Sequence, residues 1–424
     1  MSIVARPTDQ SNHGRSFADR DQLWRYRTLT VIDVFLHVFV VSTFVIGIWR
    51  GSYELFSHYH DTVNPWLALG LCIIIQLVLS FTSDPLVKYF KRSSHSKLLF
   101  WVTSRAYIYA HFMSGMIVYT YQEWLLDITI VHIEHSISQI MVTFVAIGIL
   151  CMFRMVAIIM PPPACGLEFD PKPEEIFQFE TMFWSDQRGT GSFLYVLDSF
   201  FSVCIIGSLV VIVWRGVWNI MDEYLYPDMQ DISAWLSLAI GYGVVLIAFA
   251  LQPTVKSIVK KVRGIKRMFI VDTYLLFSFF GAVNVWRGIW TMLDVYFLPD
   301  APMTSYWISH IACFAILVAL NSSNSILVRG VYMDAEEDGT QCVDFPCYYF
   351  RLLVQKRKRK KTRNAEQEGK EMIQIKVQPT DETTETVTGK LLSSSTTNEN
   401  GGVITSKMNG DEAEDTLPNN NKIV

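Results

Sequence analysis

The chain has 424 residues, of which 50% are hydrophobic and only 18% are charged, and its formal net charge is −4. The stretch from Asn364 to Val424 is polar and contains no aromatic residue, so the apolar residues are concentrated upstream of it. This distribution disfavours a soluble enzyme, and the weakly negative charge gives no reason to expect a nucleic-acid partner.

Eight predominantly apolar stretches of about 20 residues follow a polar arm at residues 1–27, and each is long enough to cross a hydrocarbon core of roughly 30 Å. A buried helix of a soluble protein could explain one such stretch but not eight, and barrel strands would be half as long and alternate in polarity. They run from Thr28 to Trp49, Pro65 to Thr82, Leu98 to Thr120, Ser136 to Ile159, Phe193 to Val213, Ser233 to Leu251, Phe269 to Trp286 and Ser305 to Val328. The sequence predicts an all-α polytopic membrane protein with eight transmembrane helices.

The basic residues of the loops predict the orientation, because cytoplasmic loops are enriched in Lys and Arg. The loops after the second, fourth and sixth spans carry four, two and six of them, whereas the loops after the odd spans carry one, none, one and one. The even loops and both termini are therefore expected in the cytoplasm.

The spans divide into two four-helix halves, residues 28–159 and 193–328. Residues 160–192, which begin with Met160 and three prolines and are acidic, are expected to form a cytoplasmic linker between them. Residues 329–363 form a juxtamembrane segment with a polybasic cluster, and the polar composition of residues 364–424 predicts a disordered cytoplasmic tail.

A marker recurs three times: an acidic residue near the start of an apolar run and Trp-Arg-Gly at its end. The copies are Asp33 with Trp49, Arg50 and Gly51; Asp198 with Trp214, Arg215 and Gly216; and Asp272 with Trp286, Arg287 and Gly288. The offset from the first copy to the second is identical for all four residues, and Tyr121-Gln122-Glu123-Trp124 reads as a degenerate copy without the arginine. The pattern predicts four repeated two-helix hairpins, with each marker at an outer turn.

The marker charges have two interpretations. Asp33 and Arg50 are 17 residues apart, about 25 Å along a helix, so they cannot pair with each other. The arginines could form an electropositive ring around an outer vestibule. Alternatively, they could clamp neighbouring hairpins through ion pairs, while the marker glycines allow close helix approach. The second interpretation is favoured, and Asp222 and Asp294 are noted seven residues after Arg215 and Arg287, on the same helical stripe.

Other polar residues give weaker predictions. Arg105, Tyr109 and His111 in the third span are candidates for an interior polar track, although Arg105 could equally snorkel to the inner surface. The basic residues Lys356, Arg357, Lys358, Arg359, Lys360 and Lys361 are expected to bind anionic lipids of the inner leaflet. Cys342 and Cys347 are candidates for palmitoylation because they follow the last span closely.

Sites for catalysis, metals or cofactors are not predicted. The seven cysteines are too scattered for a disulfide framework or a metal pattern, and the chain has neither a phosphate-binding loop nor a Ser-His-Asp arrangement that we can identify. The sequence therefore predicts that the protein is not an enzyme.

The eight spans, the hairpins that end in Trp214-Arg215-Gly216-Val217-Trp218 and Trp286-Arg287-Gly288-Ile289-Trp290, and the basic then polar tail resemble the fuseless family of invertebrate membrane proteins. The resemblance implies a presynaptic plasma-membrane protein that supports neurotransmitter release, acting on voltage-gated calcium channels at active zones. It also implies a presynaptic scaffold or calcium-channel complex as partner, and no catalytic residues. The alternative is a transporter or channel for a small solute or ion.

Overall fold

The computed structural model describes residue 24 and residues 27–59, 62–92, 96–130, 136–163, 176–177, 197–198, 200–327, 343 and 345. These residues all belong to one compact unit, Met1–Lys361. A second unit, Thr362–Val424, lies outside the described residues, and with it the predicted tail.

Eight long helices and no strand occur in the described part of the chain, which confirms the all-α class. They are α1 (Arg27–Tyr59), α2 (Pro65–Arg92), α3 (Lys97–Ile130), α4 (Ser136–Phe153), α5 (Gly207–Tyr224), α6 (Gln230–Lys261), α7 (Ile265–Tyr296) and α8 (Pro302–Ala319). Six of them, α1, α2, α5, α6, α7 and α8, are long and apolar enough to cross a membrane. α4 is apolar but shorter, and α3 is long but interrupted by polar residues such as Arg105 and His111.

The odd-numbered helices form the centre of the helical unit. α1, α3, α5 and α7 contact one another in a closed ring, in that order, and the even-numbered helices pack outside them. Each odd helix packs along the even helix that precedes it: α3 on α2, α5 on α4 and α7 on α6. α8 completes the arrangement by packing on α1.

This arrangement corrects one expectation. The two helices of each predicted hairpin, such as α1 and α2, do not pack extensively against each other among the described residues. The extensive contacts are instead between α2 and α3, between α4 and α5, and between α6 and α7. The hairpin is therefore a unit of the sequence pattern and not a unit of packing.

Both halves end in a broken helix. α4 ends at Phe153, Arg154 has a positive φ of 60°, and a 3-10 turn follows at Val156–Ile159. α8 ends at Ala319, Asn321 has a φ of 56°, and a 3-10 turn follows at Ser323–Ile326. The fourth and eighth spans are thus shorter than predicted, because their last residues turn back into the interior.

Other backbone irregularities also recur between the halves. α1 contains a π-helical turn at Leu36–Val41, and a second π-helical turn, Phe201–Ile206, lies directly before α5 at the same offset as the marker residues. Pro85 and Pro253, which are separated by nearly that offset, lie inside α2 and α6. The backbone irregularities of the two halves therefore correspond in position.

The start of the predicted cytoplasmic linker is buried. The carbonyl oxygens of Pro162 and Pro163 accept hydrogen bonds from Trp286 Nε1 at 2.6 Å and from His37 Nε2 at 3.1 Å. Phe177 is also buried and stacks on Phe90, with ring centroids 5.8 Å apart. Parts of this segment thus pack on the helices rather than connect them through solvent.

Candidate functional site

The marker tryptophans meet in the middle of the central ring. Trp286 of α7 lies edge-to-face against Trp49 of α1 and Trp214 of α5, with centroid distances of 5.5 and 5.2 Å. Tyr119 of α3 lies 6.1 Å from Trp49, so each of the four central helices contributes one aromatic ring. We call Trp49, Tyr119, Trp214 and Trp286 the tryptophan layer.

A second set of aromatic rings lies one helical turn further along. Trp290 is 5.5 Å from both Tyr53 and Trp218, again edge-to-face, and its Nε1 donates to Glu54 at 3.2 Å. Edge-to-face pairs of this kind add about 0.5–1.5 kcal/mol beyond the area that they bury. Together the two sets fill the ring at the end where the markers lie, which we call the marker end.

The two broken helices contact the tryptophan layer from the other side. Trp49 Nε1 donates to the carbonyl of Ile326 at 3.0 Å, and Trp214 Nε1 donates to the carbonyl of Ile159 at 3.1 Å. Each half thus supplies the carbonyl that satisfies an indole of the other half. Indole nitrogens and freed carbonyls that would cost energy if buried alone are paired here.

Arg50 joins three helices. Its Nε donates to Asp294 of α7 at 2.8 Å, and its terminal nitrogens donate to Ser305 and Ser309 of α8 at 3.2 Å. The guanidinium also lies over the ring of Tyr306, 4.9 Å from its centroid. Arg50 is 1% exposed, so its charge is compensated entirely by neighbouring side chains.

Arg287 of α7 makes the corresponding contacts with α5 and α6. Its Nε donates to Asp222 of α5 at 2.7 Å, and its terminal nitrogens donate to Ser233 and Ser237 of α6. In both sites the carboxylate comes from the neighbouring central helix and the two hydroxyls come from the paired outer helix. Asp222 and Asp294, which follow Arg215 and Arg287 by seven residues, therefore bind the arginine of the next central helix, Arg287 and Arg50.

The interface between α3 and α1 lacks both partners. Tyr119 lies at the level of Trp49, so Thr120 takes the place of the arginine, two residues earlier than the offset predicts. The residue seven after Arg50 is Ser57, where the sister helices have Asp222 and Asp294. α3, which has no marker arginine, thus packs on α1, which has no carboxylate seven residues after its marker arginine.

Arg215 lies at a small pocket between α3, α4 and α5, which is lined by Leu126, Gln139, Val142, Thr143, Ile212, Arg215 and Gly216. It is 9% exposed. The residue of α3 that corresponds in position to Asp222 and Asp294 is Asp127, whose side chain lies outside the described residues. The third arginine site is therefore described only in part.

The marker glycines lie where helices touch. A Cβ at Gly51 would be 2.6 Å from the backbone oxygen of Tyr306, and one at Gly288 would be 2.7 Å from Leu238. At Gly216 a Cβ would collide with Thr143. These contacts are between a central helix and its outer partner, α8, α6 or α4.

A protein-family comparison matches residues 28–327 to the Fuseless model, which covers most of the chain and all eight helices. The chain belongs to the Fuseless family. This confirms the resemblance noted in the sequence, and with the apolar helices it identifies a helical membrane protein. No match was found among curated proteins or solved structures.

The marker aspartates of this Fuseless chain lie far from its arginines. Asp33 and Asp272 lie near the opposite end of α1 and α7, and Asp198 lies before the start of α5. All three are buried, with 1% exposure for Asp33, 7% for Asp198 and 8% for Asp272. Arg154, at the break after α4, attracts Asp272 electrostatically. Acidic and basic markers thus occupy separate layers.

The three interior candidates are not brought together as one track. Arg105 donates to Asn321 Oδ1 at 2.6 Å, after the end of α8, whereas the carbonyl of His111 accepts from Gln76 of α2 at 3.0 Å. Tyr109 binds His310 Nε2 at 2.8 Å. The remaining candidates, the basic residues 356–361 and Cys342 and Cys347, lie outside the described residues.

Sequence reasoning missed His310 and the serines of the arginine sites. His310 Nδ1 is hydrogen-bonded to the Ser52 hydroxyl at 2.8 Å, and that hydroxyl also lies 2.7 Å from the Ile48 carbonyl. The Tyr109 hydroxyl is hydrogen-bonded to the other ring nitrogen of His310 at 2.8 Å. The serines had a signal in the sequence: Ser233 and Ser237 are separated from Ser305 and Ser309 by the same offset that separates Arg215 from Arg287.

Proposed function

We propose that the protein is an eight-pass presynaptic plasma-membrane protein, built of two duplicated halves with both termini in the cytoplasm, that supports neurotransmitter release. In this proposal it organises or regulates voltage-gated calcium channels at active zones, and its membrane core is an anchor. Membership of the Fuseless family supports the assignment to this class of membrane protein. The geometry supports the anchor.

The observation that carries the anchor is the tryptophan layer with its arginine clamps. Trp286 is 5% exposed and touches the indoles of two neighbouring helices, and Arg50 and Arg287 each bind two other helices. A centre that is closed by large rings and held by ion pairs across helices favours rigidity over passage. Recruitment of partners is then assigned to the cytoplasmic segments, including residues 329–363 and the tail, with the basic residues 356–361 on anionic lipids.

Rescue of neurons that lack the protein tests this function. Full-length protein is expected to restore calcium-channel clusters, and a form without residues 364–424 is expected to reach the surface without restoring them. The variant Arg215→Met, compared at equal surface expression, should restore clusters, because the core is proposed to be an anchor and not a pathway for a solute. Normal clustering by the tail-deleted form would contradict the recruiting role of the tail.

The second candidate, a transporter or channel, has one observation in its favour. Non-helical backbone within a membrane core is tolerated where it is buried in protein or lines a cavity, and broken helices form binding sites in many transporters. The breaks after α4 and α8 fit this pattern. A solute or ion flux in proteoliposomes that is lost on substitution of Arg50 and Arg287 would favour this candidate over the anchor.

A further inference from the structure

The connection between α6 and α7 is short and strongly basic. α6 ends at Lys261 and α7 begins at Ile265, so only three residues join the two helices. We call residues 256–267 the basic turn. It has no acidic residue, and its six basic residues are Lys256, Lys260, Lys261, Arg263, Lys266 and Arg267.

The basic turn is open to its surroundings. Its tip, Gly264, has a φ of 64°, and a Cβ placed there would meet no atom within 4 Å. Four of its basic side chains are exposed and form no ion pair or hydrogen bond with another described residue, namely Lys260, Lys261, Arg263 and Lys266. Their positive charge is therefore available to a partner outside the described part of the chain.

The basic turn lies at the end of α6 and α7 that is opposite the marker end. Gln252 of α6 donates to the carbonyl of Val343 at 3.1 Å, and Phe345 stacks on Tyr274 of α7 with ring centroids 5.5 Å apart. The chain after the eighth span therefore returns to this end of the two helices. The inference rests on the proposed orientation, in which this side of the membrane is the cytoplasm.

An exposed apolar face continues from the basic turn along α7. Ile265 is 81% exposed and Phe269 is 71% exposed, and the face continues at Phe277 and Phe280, which are 37 and 39% exposed. These residues follow one another at intervals of four, eight and three positions, so they share one side of the helix. A lipid fits this surface, because its headgroup can lie on the basic turn while its acyl chains lie along α7.

Helix stability and membrane topology explain the basic turn only in part. Lys266 and Arg267 lie in the first turn of α7, where the helix dipole disfavours positive charge, and no acidic residue is present there. The preference for basic residues in cytoplasmic loops accounts for the sign of the charge. The α2–α3 connection meets that preference with four basic residues, against six here. A bound anionic lipid explains the additional charge and the apolar face beside it.

We propose that the basic turn binds the headgroup of a polyphosphorylated inositol lipid of the inner leaflet. Clusters of about four to eight Lys and Arg residues directly cytoplasmic of a transmembrane helix recognise anionic lipids of this kind. Several phosphates are favoured over one because six positive charges lie within twelve residues. Arg263 and Lys266, on either side of Gly264, make the main contacts. This site is separate from the one predicted at residues 356–361.

Binding of fluorescent phosphatidylinositol bisphosphate to the purified full-length protein in detergent tests the site. Every protein compared also carries Lys356→Gln, Arg357→Gln, Lys358→Gln, Arg359→Gln, Lys360→Gln and Lys361→Gln, which removes the other predicted lipid site. This reference protein is expected to bind the lipid saturably. Adding Lys261→Gln, Arg263→Gln and Lys266→Gln should weaken binding about tenfold or more. The melting temperature should not change, because these three side chains are exposed.

The matched control removes the same number of charges from the α2–α3 connection. The variant with Lys88→Gln, Arg92→Gln and Lys97→Gln, all at exposed positions, should bind the lipid as tightly as the reference protein. Equal weakening by both triple variants would show that net charge alone attracts the lipid, which would overturn the site. Absence of saturable binding to the reference protein would overturn it as well.

Soluble inositol trisphosphate distinguishes a lipid from a free phosphate compound. It should compete only weakly, because it has no acyl chains to lie along Ile265 and Phe269. Competition as strong as that of the unlabelled lipid would overturn the assignment to a membrane lipid. The assay in detergent requires neither the synaptic role nor the orientation, so its failure would leave the proposed function standing.

Discussion

Arg50 of α1 and Asp294 of α7 form an ion pair of 2.7 Å in which the two partners differ in burial: the arginine is 1% exposed and the aspartate is 38% exposed. Arg287 and Asp222 repeat both the distance and the difference, with 4 and 52% exposure. Each pair fastens two neighbouring central helices at the marker end. Since the aspartate reaches solvent and the arginine does not, the two members of a pair should respond differently to removal.

The first prediction concerns this difference. Asp294→Ala leaves the buried Arg50 charge with two serine hydroxyls and the Tyr306 ring but no carboxylate partner. Loss of one partner of a buried pair costs about 3–5 kcal/mol. Arg50→Met removes the buried charge and leaves a carboxylate that solvent can hydrate, so it should cost less. Thermal unfolding in detergent measures both. Asp300→Ala, at an exposed position near the end of α7, is the control and should have little effect. A greater loss for Arg50→Met than for Asp294→Ala would contradict the conclusion that an uncompensated buried charge is the larger cost.

The second prediction separates geometry from charge. Arg287 donates through three nitrogens to Asp222, Ser233 and Ser237, which lie on two different helices. A lysine keeps the charge but offers one nitrogen, so it cannot reach all three acceptors. Arg287→Lys should therefore lower the melting temperature nearly as much as Arg287→Met. If the lysine variant were as stable as wild type, the positive charge alone would be sufficient, as expected for a vestibule ring.

The third prediction concerns helix approach. A Cβ at Gly51 would lie 2.6 Å from the Tyr306 oxygen and 2.7 Å from the His310 nitrogen, both backbone atoms of α8 that cannot rotate away. Gly51→Ala should therefore separate α1 from α8 and cost about 1–3 kcal/mol or more. Gly70→Ala is the matched control, since this helical glycine has nothing within 4 Å, and it should be neutral or stabilising by up to about 1 kcal/mol. Equal effects of the two variants on the melting temperature would contradict this packing.

The sequence predicted the level of the marker arginines along the helices, but it did not predict which residues bind them. Hydropathy and the constant offset were enough to place Arg50, Arg215 and Arg287 at one level, because a repeated helix repeats its depth. They could not show that Asp294 binds Arg50, because that pair depends on closure of the ring between α7 and α1, 244 residues apart. Position along one helix carries no information about which helix is its neighbour.

The broken helices were missed for a related reason. Met155 to Ile158 is as apolar as a transmembrane helix, so hydropathy continued the fourth span to Ile159 although the helix ends at Phe153. The only local signal was the run of prolines that begins at Pro161. In the eighth span Asn321 and the serines after it gave a stronger signal, since Asn tolerates a positive φ and Ser favours turns.

The last prediction tests whether Trp286 is the centre of the tryptophan layer. It is 5% exposed, contacts Trp49 and Trp214, and donates to the Pro162 carbonyl at 2.6 Å. Trp286→Ala should cost about 3–5 kcal/mol because it leaves a cavity between three helices. Trp286→Phe should cost less than Trp286→Ala because it retains a ring. It should still be destabilising, because the Pro162 carbonyl loses its donor.

Trp66→Ala is the control for these variants, because Trp66 is 63% exposed at the start of α2 and contributes nothing to the central ring. Thermal unfolding followed by intrinsic fluorescence compares the three proteins, with circular dichroism as a second probe because each variant removes a tryptophan. The expected order of melting temperatures is Trp66→Ala above Trp286→Phe above Trp286→Ala. Similar values for Trp66→Ala and Trp286→Ala would show that the central ring is held by its outer helices alone, since the indole would then fill no essential space.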